Sequence, residues 1–247
     1  MKMREWNKEQ PEVVLLLHPM FASAAALYTL LGQHLGGEYR LLIPDLSGHG
    51  EDVHMPYRSA AEEALLIQQY LLDAGLTSIH LAYGASLGGT VLMELAQLPG
   101  LSFDHLYFES TSVLKNEPLL EYRLCHRYIQ RRRFAMRNPI RSVKHMKFKY
   151  GKSVSEPLAR QFIATDSDSI RSFIRDCTHV TLPELSPEQQ RMCTFACGTK
   201  GKNARLSKTL LPARYPEAEH RIWENCGHCE KLVSAPEDYA AHLKTYL

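Results

Sequence analysis

The sequence contains no long hydrophobic run. Its first apolar segment, residues 13–17, follows a polar stretch that includes Glu9, Pro11 and Glu12. A membrane-spanning helix needs about 20 apolar residues, and a signal-peptide core needs about 7 to 15. We therefore expect neither a membrane span nor an export signal, and the sequence favours a cytoplasmic protein.

The sequence also has few cysteines and a small net charge. Six cysteines among 247 residues are too few for a disulfide scaffold and suit a reducing compartment. The formal net charge is only +2, which does not suggest a nucleic-acid partner. With 45% hydrophobic residues the chain can bury one sizeable core, whereas two full domains would be a tight fit.

Short apolar runs alternate with longer amphipathic stretches along most of the chain. This alternation is typical of β–α units that build a mostly parallel central sheet flanked by helices. Strands are predicted at residues 13–17, 40–44, 79–83, 105–108, 192–197 and 220–223. Helices are predicted at residues 24–35, 60–74, 87–97 and 236–246.

One interval breaks this alternation. About eighty residues with helix-like periodicity separate the strand that ends near Phe108 from the strand that begins near Met192, far more than an ordinary connection needs. We interpret residues 112–187 as a helical cap inserted into a core formed by residues 1–111 and 188–247.

The strongest chemical signal is the motif Gly84-Ala85-Ser86-Leu87-Gly88, which lies between a predicted strand and a predicted helix. In a G-x-S-x-G turn the serine is lifted clear of the sheet, and the glycines allow a strained backbone and the close approach of neighbouring chain. Ser86 is therefore the predicted nucleophile. The alternative is a glycine-rich turn with an incidental serine, which the strand-to-helix context disfavours.

A second signal follows the last predicted strand, where residues 225–228 read Asn-Cys-Gly-His. An imidazole titrates near neutral pH, so His228 can accept the serine proton and return it to the leaving group. One histidine among twelve is weak evidence by itself. Its place after a serine turn in chain order makes His228 the predicted base.

A third signal ends the first predicted strand, where residues 18–21 read His-Pro-Met-Phe. Backbone N–H groups at a strand end and at a helix N-terminus can stabilise a developing oxyanion. We predict that Met20 and Leu87 supply these groups, since Pro19 has no N–H. The alternative is a plain strand-to-loop turn. The residues predicted to contact the substrate are His18, Phe21 and Tyr83.

In content and in order, these motifs resemble those of the α/β-hydrolase superfamily over nearly the whole chain. Residues 18–19 lie where many members have His-Gly, and residues 45–50, Asp-Leu-Ser-Gly-His-Gly, resemble the D-x-x-G-x-G loop of the family. The resemblance implies an α/β-hydrolase fold and a small-molecule substrate, but it leaves the substrate open because this fold hosts many activities. A serine at position 86 argues against the dehalogenases and epoxide hydrolases, which resemble this fold but use an aspartate.

The sequence departs from this family where the acid of the catalytic triad is usually found. The common pattern is G-x-x-D after the penultimate strand, whereas residues 198–203 read Gly-Thr-Lys-Gly-Lys-Asn. Either the carboxylate comes from elsewhere or the site is a Ser-His dyad. Glu109 is the predicted acid, because it follows the strand after the one that bears Ser86 and should emerge at the same edge. This position resembles that of the glutamate in certain haloalkane dehalogenases; the alternative is a glutamate that pairs with a cap arginine or is exposed.

Positive charge is concentrated in the predicted cap. Residues 112–160 contain thirteen Lys and Arg against three acids, a net charge of +10, so the remainder carries about −8. Such a run is usually a solvated helix face. The alternative is that one or two arginines line the entrance and attract an anionic substrate, such as a carboxylate or phosphate ester. Without a recognised binding module, we expect neither a nucleic-acid nor a membrane partner.

A metal site is a further possibility near the predicted base. Cys226 and Cys229 flank His228, and Cys193 and Cys197 lie on the neighbouring predicted strand. The C-x-x-C spacing suits two zinc ligands, but their use would occupy the loop that must deliver the histidine. We therefore expect no metal and interpret the cysteines as small buried side chains.

The leading hypothesis is a cofactor-free serine hydrolase that cleaves a small or medium ester or thioester through an acyl-enzyme on Ser86. A lyase or a carbon–carbon bond hydrolase could use the same Ser-His pair as an acid–base device. A non-catalytic binding protein could keep the pocket and lack the acid. The sequence leaves these alternatives, and the oligomeric state, open.

Overall fold

The computed structural model describes residues 1–150 and 152–247, and the side chains of residues 147–150, 152, 153 and 202 lie outside this description. The side chains of three basic residues of the predicted cap, Lys147, Lys149 and Lys152, therefore lie outside the described part of the chain. None of the described helices is both long and apolar enough to cross a membrane.

Within the described residues, seven strands form one sheet in the order β1-β3-β2-β4-β5-β6-β7. The strands are β1 (Lys2–Trp6), β2 (Val13–Leu17), β3 (Arg40–Asp45), β4 (Ser78–Ala85), β5 (Ser102–Glu109), β6 (Cys193–Gly198) and β7 (Glu219–Trp223). β1 pairs antiparallel with β3, and every other pair is parallel. The predicted mostly parallel sheet is confirmed.

The edge strand β1 is absent from the sequence-based prediction. Its residues are partly exposed and include Lys2, Arg4 and Glu5, so no buried alternation marks them as a strand. The strand forms because it pairs with β3, and Arg40 of β3 forms an ion pair with Glu5 at 2.6 Å. The pairing with β3 therefore defines β1 more than the sequence pattern of β1 does.

Helices connect the strands and pack on both faces of the sheet. They are α1 (Ala24–Leu30), α2 (Ala60–Asp73), α3 (Leu87–Leu95), α4 (Pro118–Arg137), α5 (Pro139–Tyr150), α6 (Lys152–Ala164), α7 (Ser167–Thr178), α8 (Pro187–Arg191), α9 (Lys202–Arg214), α10 (Glu230–Ser234) and α11 (Pro236–Leu243). Two predicted helices end early, and short 3₁₀ turns follow them at Gly32–His34 and Lys244–Tyr246. Such tighter turns are common at helix ends.

The two faces of the sheet follow from the alternation of side chains along β2. Leu15 and Leu17 belong to the core packed by α2 and α3, whereas Val14 and Leu16 belong to the core packed by α1 and α11. Successive strand residues point to opposite faces, so a strand buried on both sides reads as a continuous apolar run. The run 13–17 is such a strand.

Four helices, α4 to α7, lie between β5 and β6 in the segment predicted as a cap. We call residues 118–178 the helical insertion. Its α6 contacts the loop after β3, where Gln161 accepts a hydrogen bond from Gly50 N–H at 2.7 Å and donates one to Gly48 O at 2.9 Å. Its α7 is held to α2 because Asp176 accepts hydrogen bonds from the first N–H of that helix and from Tyr57 OH.

The tight turn from β4 to α3 depends on two glycines, Gly84 and Gly88. A Cβ on Gly88 would lie 2.3 Å from Leu17 O, and a Cβ on Gly84 would lie 2.6 Å from Gly88 O. Both contacts are with backbone atoms, which cannot move aside as a flexible side chain can. Helix α3 therefore approaches the sheet more closely than any larger residue permits.

We predict that Gly88→Ala lowers the free energy of unfolding by about 3 kcal/mol or more, because the added methyl overlaps fixed backbone. Urea denaturation followed by circular dichroism measures the change. Gly37→Ala is the matched control, since a Cβ at Gly37 meets no atom within 4 Å. Equal unfolding midpoints for the two variants would contradict the close approach.

Candidate active site

Ser86 occupies the turn between β4 and α3 with φ 52° and ψ −111°. A positive φ is unfavourable for a serine and persists only where the surrounding structure enforces it. Here Ser86 N–H donates to Glu109 O at 2.9 Å, and Ser86 O accepts from Gly89 N–H at 3.0 Å. The backbone on both sides of the turn thus holds the serine at the carboxyl edge of the sheet.

His228 lies beside this serine although 142 residues separate them in sequence. Its Nε2 is 2.8 Å from Ser86 Oγ, within the range for proton transfer from a hydroxyl to an imidazole. The structure therefore brings together the predicted nucleophile and the predicted base.

The loop that carries His228 is fixed on both sides of the histidine. Gly227 N–H donates to Glu230 Oε2 at 2.6 Å, and Cys229 N–H donates to Ser110 Oγ at 3.1 Å. Cys229 adopts a left-handed conformation with φ 52°. The position of the imidazole is thus set by backbone contacts of its two neighbours.

Glu109 is buried behind this loop, with 1% of its surface exposed. Its Oε1 accepts from Ser110 OH at 2.7 Å, and its Oε2 accepts from Tyr239 OH at 2.8 Å and from Trp223 Nε1–H at 3.0 Å. Burial raises the pKa of Glu109, and these donors act in the opposite direction. Ser110 Oγ also accepts a hydrogen bond from Cys229 N–H, so the carboxylate is connected through Ser110 to the residue after His228.

The predicted oxyanion donors lie in the loop after β2 and at the start of α3. Phe21 N–H donates to His49 Nε2 at 3.0 Å, so in this loop the neighbouring N–H of Met20 is the candidate. Leu87 is the first residue of α3, and an N–H at that position has no acceptor within the helix and lies at its positive end. Met20 and Ser86 line the same cavity.

His18 supports this loop from within the core. Its side chain has no exposed surface, its Nε2 accepts from Leu46 N–H at 3.2 Å, and its Nδ1 is 2.9 Å from Pro19 O. These partners require a neutral ring with the proton on Nδ1. Burial lowers the pKa of His18, which favours that neutral form.

His49 makes the same type of contact on the other side of the loop. It accepts from Phe21 N–H through Nε2, and its Nδ1 is 3.1 Å from Ser47 O. Its ring contacts that of His18 edge to face, with 4.8 Å between centroids. Burial, reinforced by His18, lowers the pKa of His49 well below its ordinary value of 6.5.

Phe21 is the predicted substrate contact that does face the cavity. Its φ is 65°, and its ring packs against rings of the helical insertion, 4.9 Å from Phe162 and 5.4 Å from Tyr128 between centroids. One side chain of the loop after β2 therefore joins the core to the helical insertion.

The structure corrects the prediction that His18 and Tyr83 contact the substrate. Both side chains are fully buried, and neither lines the cavity that Ser86 faces. Tyr83 points to the face of the sheet packed by α1 and α11, where its ring stacks on Tyr107 at 5.8 Å. Adjacency to Gly84 in sequence does not bring this ring to the edge of the sheet, because alternate strand residues point to the two faces.

The cavity beside Ser86 has a volume of about 1060 Å³ and a mainly apolar lining. The core contributes Ser86, the loop after β2, two leucines of α1 and all of residues 227–234 except Lys231, and the helical insertion contributes residues of α4, α5 and α6. In the part of the chain that the structure describes, no group of three or more His, Cys, Asp or Glu side chains is arranged to hold a metal ion.

Several residues that the structure places at this site carry no distinct signal in the sequence. Ser110 has no motif of its own, and its contact with Cys229 is visible only in the folded chain. Arg141 and His145 line the cavity together with Arg131, but within a long basic run no sequence signal separates the residues that line the cavity from those that do not. The helical periodicity of this run is the signal that could have indicated which of its basic residues share a helix face and line the cavity.

We predict that stability falls as the pH drops below about 6.5, because the unfolded chain binds protons that the buried His18 and His49 exclude. Above that pH both histidines are neutral in either state, so their contribution is fully present. Each one should contribute a slope of up to about 1.4 kcal/mol per pH unit. Urea denaturation between about pH 5 and pH 7.5 measures this slope.

His49→Gln keeps an acceptor for the N–H of Phe21. It should reduce the pH dependence of the free energy of unfolding by the contribution of one proton. The exposed His126→Gln is its control and should keep the wild-type slope. If His49→Gln also keeps that slope, His49 is not held neutral in the folded protein.

The comparisons with known proteins agree with this architecture. A model of the alpha/beta hydrolase family matches residues 14–242. A search of curated proteins finds no significant match to this chain.

Solved structures of similar fold include two esterases and MenH. A thermophilic esterase from Thermogutta terrifontis has 16% identity and a TM-score of 0.76, over 99% of this chain and 92% of that chain. An esterase from Exiguobacterium antarcticum has 13% identity and a TM-score of 0.74, over 99% and 94%. MenH from S. aureus has 18% identity and a TM-score of 0.70, over 100% and 97%. At these identities the likeness concerns the fold, and together with the match to the family model it leads to one conclusion: the chain belongs to the alpha/beta hydrolase family.

Proposed function

We propose that this protein is a serine hydrolase that cleaves a small or medium carboxylic ester or thioester through an acyl-enzyme on Ser86. The observation that carries the proposal is the 2.8 Å contact between Ser86 Oγ and His228 Nε2, made by a serine on a strained turn that faces a large apolar cavity. The two esterases of similar fold add support for this reaction class.

In the first half of the reaction, Ser86 Oγ attacks the carbonyl carbon of the substrate and passes its proton to His228 Nε2. The carbonyl oxygen becomes an oxyanion, which the N–H groups of Met20 and Leu87 stabilise by hydrogen bonds. The bond to the leaving group then breaks, and His228 donates the proton to the departing alkoxide or thiolate. The acyl group remains on Ser86 Oγ.

In the second half, water replaces the leaving group. His228 takes a proton from the water, whose oxygen attacks the acyl carbon, and the second tetrahedral intermediate breaks down to release the carboxylic acid. The proton held by His228 returns to Ser86 Oγ. No group other than substrate and water is consumed, and the two residues end as they began.

We further propose that residues 112–187 act as the cap of this site on a core of residues 1–111 and 188–247. The helical insertion contributes Tyr128, Phe162 and other apolar side chains to the cavity. A lining of this kind suits an apolar acyl chain and excludes water from part of the site, which strengthens electrostatic interactions there.

Ser86→Ala and His228→Ala should each lower turnover of p-nitrophenyl esters by about four to six orders of magnitude. The double variant should be little worse than either single variant, because the two residues act as a unit. A fluorophosphonate probe should label the wild type and not Ser86→Ala. The control is Ser78→Ala, an exposed serine at the opposite end of the same strand.

Other outcomes of this experiment separate the competing functions. Absence of both labelling and turnover in the wild type would favour a non-catalytic binding protein. Strictly additive losses in the double variant would contradict a shared mechanism. Labelling at Ser86 without hydrolysis of any p-nitrophenyl ester would favour a lyase or a carbon–carbon bond hydrolase.

We propose that Glu109 is the acid that orients His228. Its contacts with Ser110 and, through Ser110, with Cys229 support this role. Direct service as the third member of a triad requires the carboxylate to accept the imidazole Nδ1–H as well, beside its three present donors or in place of one of them. Action through Ser110 alone requires no contact with the imidazole and makes Glu109 a positioning residue.

Glu109→Gln should separate these two modes of action. A direct partner of the imidazolium stabilises its charge, so its loss should lower kcat by about 10⁴-fold and move the acid limb of the pH–rate profile to lower pH. Action through Ser110 predicts a smaller loss that Ser110→Ala reproduces, without movement of that limb. Glu63→Gln is the matched control, since Glu63 is another buried glutamate and contacts Ser47 instead of the histidine loop. Full activity in Glu109→Gln would exclude both modes.

A further inference from the structure

The charged groups that line the cavity are unevenly distributed. The helical insertion contributes two guanidinium groups, those of Arg131 on α4 and Arg141 on α5, and the imidazole of His145. The core contributes one acid, Glu230, whose carboxylate already accepts Gly227 N–H. Two cations and one anion leave the lining with a formal charge of +1.

Neither of these arginines forms an ion pair or a hydrogen bond with any residue that the structure describes. Other arginines of the same segment are engaged. Arg132 donates to Ile163 O at 3.1 Å, and Arg160 forms an ion pair with Glu156 at 2.6 Å. Arg131 and Arg141 therefore carry free donors at the wall of a mainly apolar cavity.

A guanidinium group binds a carboxylate through charge-assisted hydrogen bonds, often two in parallel. Both side chains are exposed and also line the mainly apolar cavity, so they can reach a charged group at the end of an acyl chain that lies in it. We propose that Arg131 and Arg141 form a subsite for a carboxylate, and that the preferred substrate is an ester or thioester whose apolar acyl chain ends in this group.

The +1 charge of the lining matches one monoanion and favours a carboxylate over a doubly charged phosphate. The inference rests on the proposed function, because the subsite acts on the same substrate that Ser86 cleaves. In this proposal Arg131 and Arg141 contact the substrate carboxylate directly, and the other basic residues of the helical insertion do not.

The same chain provides a matched control for the long-range effect of charge. All four arginines are exposed, and Arg133 and Arg137, both on α4, do not line the cavity. Removal of either pair of arginines changes the net charge of the helical insertion equally, so long-range attraction of an anion should weaken to a similar degree and be screened by salt. A direct contact is lost only with the lining pair.

The experiment compares p-nitrophenyl monoesters of dicarboxylic acids with the same compounds capped as methyl esters, over a series of chain lengths. The readout is the ratio of kcat/KM for the free acid to that for the capped compound. In the wild type this ratio should exceed one and peak at one chain length. In Arg131→Gln/Arg141→Gln it should fall by about 10-fold or more, the effect expected for hydrogen bonds to a charged group.

The control Arg133→Gln/Arg137→Gln should lower the ratio by less than about 2-fold at low salt and leave it unchanged at high salt. An equal fall in both double variants would mean that the basic run only steers anions and would overturn the subsite. A wild-type ratio of one or less at every chain length would overturn it as well. Thermal denaturation of both double variants checks that folding is unaffected.

A binding measurement separates failure of the subsite from failure of the proposed function. Calorimetry on Ser86→Ala with suberanilic acid and with its methyl ester requires no catalysis. The acid should bind about 10-fold more tightly than the ester, and this preference should disappear when Arg131 and Arg141 are also replaced by Gln. Equal affinities would overturn the subsite even if the esters are hydrolysed. Loss of hydrolysis with preferential binding of the acid would overturn the proposed function alone.

Discussion

The site depends on the close contact between the start of α3 and the end of β2. Only hydrogen fits between the Cα of Gly88 and Leu17 O, so the helix begins almost against the neighbouring strand. The same contact fixes three things at once: the left-handed backbone of Ser86, the direction of the first N–H groups of α3, and the distance from these groups to the loop after β2. A looser turn would change the position of Ser86 relative to His228 and to the loop after β2.

The loop after β2 is held by neutral imidazoles where a charged group would be unsuitable. His18 and His49 each accept one backbone N–H and each bring a ring proton to a carbonyl, in a region without water contact. A carboxylate in these positions would stabilise the N–H groups more strongly, but it would place a negative charge beside a developing oxyanion. Two uncharged rings shape the loop without opposing the charge that the proposed reaction creates.

The sequence predicts the parts of the fold that depend on local pattern. The parallel strands are recognisable because burial on both faces makes them continuous apolar runs, and Ser86 and His228 follow from motifs and chain order. β1 could not be predicted in this way, since it exists through its pairing with β3. The prediction that Tyr83 contacts the substrate is wrong because its ring points to one face of the sheet, and His18 is buried within the core; neither direction is visible in the sequence. The distinction between Arg131 and Arg133 likewise depends on how α4 packs against its neighbours.

Two hydrogen bonds between the Gln161 side chain and the loop after β3 connect the helical insertion to the core. Both ends of this amide are attached to the loop after β3, one to Gly50 N–H and the other to Gly48 O. Between them, in the sequence, stands His49, which in turn holds the N–H of Phe21. A displacement of α6 relative to this loop stretches the amide contacts, and His49 carries the effect on to the N–H of Phe21. The position of α6 is in this way coupled to the conformation of the loop after β2.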